Sequence, residues 1–326
     1  MTLIAIEEHW NTPEIAAALK ALPATHRDES VAFNEMGDNL RRLEATGSDR
    51  IAAMDSQGID MQIMSLVPPA TQALAGSEAL SLSRLANDAA ADAVRRHPSR
   101  FRAMSTLPMS APAAVVEELE RAAGLGFVGA MVYGRTGDVP LDAPCYEELF
   151  EAAAALGQPV FIHPQIAPPV VRQAVYSGFD PMTELGLATF GWGWHLEAAL
   201  AALRLIVRGT FDRYPELQIV LGHWGELLLF WQDRVDSLSR IASLERKVSD
   251  YIRSNIHITN SGMLNSTLLR HALEATTIDR LLFSTDYPFH QPTRAAVDGF
   301  LAELPDDEAR EKFTHRNARN LFIESA

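Results

Sequence analysis

The chain has 326 residues, of which 47% are hydrophobic and 21% charged, with a formal net charge of −14. This is globular composition, long enough for one large barrel or two smaller domains. The acidic balance, with lysine only at Lys20, Lys247 and Lys312, argues against a nucleic-acid surface, which needs clustered Lys and Arg.

An anionic substrate would need a local positive centre, either a metal or a placed arginine. The single cysteine, Cys145, excludes an intrachain disulfide and a Cys-rich zinc site, and points to a reducing, cytoplasmic setting. The opening MTLIAIEEHW lacks the basic n-region of a signal peptide. No uncharged apolar run reaches the roughly 18 residues of a membrane span, so no membrane partner is expected.

Short apolar, often β-branched runs alternate with longer helical patterns, as in parallel βα units. Strands are predicted over 3–8 (LIAIEE), 60–66 (DMQIMSL), 101–107 (FRAMSTL), 127–133 (FVGAMVY), 159–162 (PVFI), 217–221 (LQIVL), 255–259 (NIHIT) and 280–285 (RLLFST). That is the strand number of a closed (β/α)8 TIM barrel. Helix candidates between them include SEALSLSRLANDAAADAVRRH, APAAVVEELERAAGLG and SGMLNSTLLRHALEA, with Asp, Ser or Pro near their starts. No linker, repeat or charge block divides the series, so residues 1–326 read as one α/β domain. Two long excursions, 10–46 and 164–194, follow the C-terminal ends of strands 1 and 5, where barrel enzymes build their pockets.

In Glu7-Glu8-His9, alternate strand residues share a face, so Glu7 and His9 are expected on one side and Glu8 on the other. An exposed polar strand end would read the same way. Strand 5 runs into His163-Pro164, strand 6 into Gly222-His223-Trp224-Gly225-Glu226, and strand 8 into Asp286-Tyr287-Pro288. A lone histidine so placed is commonly a hydrogen-bonded core or loop residue. Polar residues at the same end of four strands converge on one axial site, and a metal centre accounts for them better. Two carboxylates and at least two imidazoles, without a thiolate, suit Zn²⁺ or Mn²⁺ better than Mg²⁺. No lysine stands at a strand end to bridge a second ion, so a single ion is expected.

The ordered series EEH, GQPVFIHP, GTFDRYPELQIVLGHWGE, NIHITNSG, DRLLFSTDYPF and HRNARNLF resembles the decarboxylase branch of the amidohydrolase superfamily across essentially the whole chain. That branch includes γ-resorcylate, 2,3-dihydroxybenzoate and 5-carboxyvanillate decarboxylases. The resemblance implies a carboxy-lyase in which Glu7, His9, His163 and Asp286 bind one divalent metal ion per chain and His223 is catalytic beside it. It also implies that Arg234 of WQDRVD reaches the pocket and that the chain forms a homodimer or homotetramer. A solvated helix arginine is the other reading of Arg234. Glu226 is expected to orient His223 through its second ring nitrogen, or else to be a plain helix-start carboxylate. One departure is that relatives often carry a histidine one turn after a glutamate beyond the aromatic loop, whereas Glu197 is followed there by Ala201.

Loss of CO₂ from a small aromatic carboxylic acid without an oxidant needs a sink for the bond electrons, which protonation of the ring carbon supplies. With the substrate carboxylate and an ortho hydroxyl on the metal, Asp286 is expected to deliver that proton and His223 to support the charge. The excursion after strand 5 carries Tyr176, Phe179, Phe190, Trp192, Trp194 and His195 in a chain that is 8% aromatic. Of these, Phe190, Trp192, Trp194 and His195 are expected to wall a planar ring, though packing against the barrel or a second subunit would use them equally. His257 and His290 read as structural or supporting. The same metal and His223 could instead activate water against an ester, lactone, amide or unsaturated acid. A non-catalytic ligand-binding barrel would have little reason to keep this set of residues.

Overall fold

The computed structural model describes residues 2–324. Its parallel strands are β1 (Ile4–Trp10), β2 (Met61–Leu66), β3 (Phe101–Ala103, continued by Ser105–Thr106), β4 (Ala130–Tyr133), β5 (Val160–His163), β6 (Ile219–Leu221), β7 (Ile256–Thr259) and β8 (Leu281–Leu282). Each pairs in parallel with the next, as βα units require. β3 is broken because its backbone changes partner: Met104 N donates to Met64 O at 2.9 Å, and Ser105 N to Gly129 O at 2.8 Å. At the other end of the series, Ile6 N donates to Phe283 O at 3.2 Å and His9 N to Tyr287 O at 2.7 Å, joining β1 to the segment that leaves β8.

A single apolar cluster takes Ile4, Ile6, Ile63, Met131, Phe161, Val220 and Leu282 from six of these strands and covers them with Phe322, so the strands curve round one core. A fully buried Phe such as Phe161 contributes about 1.5–3 kcal/mol of apolar burial. A larger cluster fills the layer between strands and helices, with Phe101, Leu149, Leu205 and Tyr251 among its members.

β1 contains an irregularity that positions the site. Ala5 pairs with Gln62 but Glu8 with Met64, so β1 holds one extra residue there. Such a bulge interrupts the two-residue alternation. Ile4 and Ile6 join the central cluster, and yet Glu7 and His9 face the polar site beyond it.

The two excursions are largely helical. The first contains Pro13–Ala21, Val31–Asn34 and Asn39–Glu44; the second contains Pro169–Val175 and Pro181–Ala188 and leads into helix Gly193–Val207. Local chemistry starts several of these helices. Thr12 and Asp180 accept first-turn N–H groups ahead of Pro13 and Pro181, and Asn265 does the same for helix Ser266–Ala275. Among the described residues, no helix is long and apolar enough to cross a membrane.

Candidate metal centre and active site

Glu7, His9 and His163 are buried at the C-terminal ends of β1 and β5, and Asp286 follows β8. His9 Nε2 lies 3.2 Å from Asp286 Oδ1, and His163 Nε2 lies 3.8 Å from Glu7 Oε1. Each remaining polar atom of the three buried residues is engaged. Glu7 Oε2 accepts from Thr259 Oγ1 at 2.9 Å, from Ser284 Oγ at 3.3 Å and from Ser261 Oγ. His163 Nδ1 donates to Pro164 O at 2.7 Å, which leaves the Nε2 lone pair free, and His9 Nδ1 meets Ser65 Oγ at 3.3 Å. Glu7 Oε1 and His9 Nε2 are buried without a hydrogen-bond partner.

A buried unpaired polar atom costs about 1–3 kcal/mol, and here two such atoms converge with a free imidazole lone pair. One ligand atom from each of Glu7, His9 and His163 lies within 4.8 Å of the others. This donor set of two imidazole nitrogens and a carboxylate oxygen, extended by Asp286, fits a mid-row divalent cation. Burial, with the charge of His9 behind it, holds His163 well below its ordinary value, which favours the neutral imidazole a cation needs. Burial first, then Asp286, pushes the Glu7 carboxyl up against the opposing pull of His223 and His9. An added cation would relieve that stress.

His223 enters from the turn after β6. Its backbone N donates to Ser261 Oγ at 2.7 Å, and its Nδ1 lies 2.7 Å from Glu226 Oε1. The other oxygen of Glu226, Oε2, lies 2.7 Å from His195 Nδ1. Burial alone would lower His223, but the charge and hydrogen bond of Glu226, with Glu7 and Asp286, outweigh it and raise the imidazole to about 10. Burial likewise pushes Glu226 up, and the two imidazoles overcome it and hold the carboxyl at about 2. The turn is strained: His223, Trp224, Glu226 and Leu227 have φ of 46°, 58°, 53° and 71°, a conformation that costs roughly 1–2 kcal/mol in a non-glycine residue. Such strain persists where the surroundings over-determine it, commonly at functional sites. Gly222 is required at its entrance, since a Cβ there would stand 2.8 Å from Ser261 Oγ and 3.1 Å from Glu7 Oε1.

Asp286 and His223 keep 13% and 14% of their side chains exposed, enough for a small molecule to reach them beside the buried Glu7, His9 and His163. A cavity of about 120 Å³ opens next to His223 and His195, walled by Leu227, Phe230, Met263 and Leu268.

Of the residues expected to wall the pocket, Trp194 and His195 reach the cluster. Trp194 packs 6.4 Å from the His163 ring and His195 4.8 Å from that of His223. Phe190 packs edge-on against Phe33 at 5.2 Å, and its carbonyl faces His195 Nε2 at 3.0 Å. Trp192 and Arg234 stand exposed, Arg234 on the short helix Gln232–Val235, and no hydrogen bond or ion pair joins Arg234 to the cluster. His257 lies at the opposite end of the strands, with Nε2 2.9 Å from Arg280 Nη1. Sequence reasoning missed Thr259, Ser261 and Ser284 as the hydroxyls that fix Glu7; their signal was the hydroxyl residues that close the segments NIHITNSG and RLLFST.

Residues 7–322 match the amidohydrolase family, and the chain belongs to it. Within that family it is similar to the γ-resorcylate decarboxylase of Rhizobium radiobacter, 35% identical over 98% of this chain and 97% of that protein. Among solved structures it is similar to a dihydroxybenzoic acid decarboxylase from Polaromonas sp. JS666 with bound manganese and the inhibitor 2-nitroresorcinol, at 34% identity and a TM-score of 0.86, covering 100% of this chain and 98% of that one. It is also similar to the 5-carboxyvanillate decarboxylase of Sphingomonas paucimobilis, at 30% identity and a TM-score of 0.88 over 98% of both chains.

Proposed function

We propose that this chain is a metal-dependent, non-oxidative decarboxylase of a hydroxylated aromatic carboxylic acid. The observation that carries the reading is the convergence of two buried atoms without a hydrogen-bond partner, Glu7 Oε1 and His9 Nε2, with His163 Nε2 and the accessible carboxylate of Asp286. Whole-length similarity to decarboxylases of such acids supports the substrate class. Glu7, His9, His163 and Asp286 would hold a single manganese or zinc ion. When bound, the ion would supply positive charge for gripping an ortho-hydroxy carboxylate.

Asp286 delivers a proton to the ring carbon that carries the carboxylate. The C–C bond to the carboxylate then breaks, its electron pair returns to the ring, and CO₂ leaves as aromaticity is restored. His223, held through Nδ1 by Glu226, presents Nε2 to the substrate and supports the developing charge. Trp194 and His195 flank the ring, with Phe190 behind His195. Trp192 and Arg234 are given no contact in this scheme.

The fold that frames this chemistry is read as one closed (β/α)8 barrel spanning the chain as a single domain, supported by the bonds from β1 to Phe283 and Tyr287. Assembly as a homodimer or homotetramer is part of the proposal, supported by exposed Phe230, Trp231 and Ile241 and tested by light scattering. CO₂ release from ortho-hydroxybenzoates in the presence of Mn²⁺ tests the activity. Release without net uptake of water supports it, and hydrolysis of an ester or lactone without CO₂ would replace it with a hydrolase.

A further inference from the structure

Behind the site, on the side of β1 away from the ligands, lies a polar chain that the chemistry above does not use. Glu8, Arg50 and Gln62 are 0%, 0% and 1% exposed. Arg50 Nη1 donates to the backbone carbonyl of His9 at 2.8 Å and its Nε to Gln62 Oε1 at 2.6 Å. Gln62 Nε2 donates to Glu8 Oε2 at 2.7 Å. Glu8 in turn accepts from both the backbone N and the hydroxyl of Thr285, at 2.8 and 2.7 Å. The Arg50 guanidinium also lies 4.7 Å from the centre of the Tyr287 ring.

The chain therefore grips His9 through its carbonyl and Asp286 through the residues on either side of it. Asp286 needs such a grip, because its φ of 59° is left-handed for a residue with a side chain. In that conformation its carboxylate faces His9 Nε2. Burying a carboxylate and a guanidinium for stability alone brings little, since apolar side chains of similar volume commonly do as well or better. What this arrangement adds is position.

We propose that Arg50, Gln62 and Glu8 act with Thr285 as a staple between β1 and the segment after β8 that sets His9 and Asp286, and thereby sets affinity for the divalent ion. These are positioning residues, and the inference rests on the metal reading above.

The test is Mn²⁺ affinity, measured by calorimetry on chelator-stripped wild-type, Gln62→Leu and Thr285→Val proteins, with the thermal unfolding midpoint of each metal-free form recorded in parallel. Loss of an outer partner of a metal ligand commonly weakens binding about 10–100-fold, and Gln62→Leu is expected in that range. Thr285→Val, near-isosteric and missing only the hydroxyl bond to Glu8, is expected to weaken binding several-fold while unfolding near the wild-type temperature. Should Gln62→Leu fail to fold, Thr285→Val decides alone. Folded variants that bind Mn²⁺ as tightly as wild type would overturn the staple whatever their melting temperatures. Where wild type takes up only Zn²⁺, the same comparison is made with Zn²⁺, and wild-type protein that binds neither ion would overturn the metal reading and the staple together.

Discussion

His223 Nδ1 and Glu226 Oε1 stand 2.7 Å apart, with the carboxylate fully buried, and this contact sets the protonation of both groups. His223 is raised from 6.5 to about 10, so its stabilising contribution is complete below pH 6.5 and is lost as pH rises through about 10. Glu226 is lowered from 4.5 to about 2, so its contribution is complete above pH 4.5 and is lost as pH falls through about 2. Both describe one interaction, present in full between pH 4.5 and 6.5. Glu226→Gln is expected to move the His223 titration in metal-free protein clearly downward, as followed by histidine NMR. It should also slow turnover roughly 10²–10⁴-fold, the usual weight of a placed acid–base group. An unmoved titration would show that Glu226 does not govern His223.

Gly222→Ala probes the close approach of two carboxylates. The backbone at Gly222, with φ of −78° and ψ of −172°, suits any residue, so the effect is purely steric. The added Cβ would stand 3.1 Å from Glu7 Oε1 and 3.2 Å from Glu226 Oε1. Overpacking of this kind costs about 1–3 kcal/mol. Melting temperature and Mn²⁺ affinity are both expected to fall, and a variant matching wild type in both would refute the geometry around Glu7.

Acid sensitivity is expected from the opposite end of the strands. Burial, with Arg280 adding to it, holds His257 at about 3, below its ordinary 6.5. Because the folded value is depressed, the unfolded chain binds the proton first, and stability is lost as pH falls from 6.5 toward 3. The loss is on the order of a few kcal/mol. Urea midpoints measured across that window should fall more steeply for wild type than for His257→Gln, and parallel slopes would dismiss His257 as a cause.

Much of this was legible in the sequence because strand-end residues follow apolar runs that cannot be anything but buried. The approximate places of all eight strands, the grouping of Glu7, His9 and His163 and the contact of Asp286 with His9 were readable on that basis. Strand alternation placed Glu7 and His9 together, but it did not reveal the bulge after Ala5, across which Ile4 and Ile6 join the central apolar cluster while Glu7 and His9 of the same strand face the polar site. The partner of Glu8 was not readable either, since Arg50, Gln62 and Thr285 are distant in sequence and meet only when β1, β2 and β8 assemble. His195 was singled out for its aromatic neighbourhood. Its bond to Glu226 depends on helix Gly193–Val207 starting beside the β6 turn, a tertiary fact. Composition marked the aromatic excursion without ordering it, and Phe179 and Trp192 remain exposed while Trp194 packs inward.

Asp286→Asn tests the proton donor. At saturating Mn²⁺, the variant is expected to lose CO₂ release by more than about 10²-fold, because the amide cannot deliver a proton to the ring carbon. Full activity in that variant would remove Asp286 from the role.

Metal content by mass spectrometry of purified wild-type and His163→Ala proteins tests most directly whether Glu7, His9, His163 and Asp286 form a metal site. A single manganese or zinc ion per wild-type chain, lost in a folded His163→Ala variant, is the predicted result. A wild-type protein that carries no divalent metal and takes up none from Mn²⁺ or Zn²⁺ solutions would contradict it.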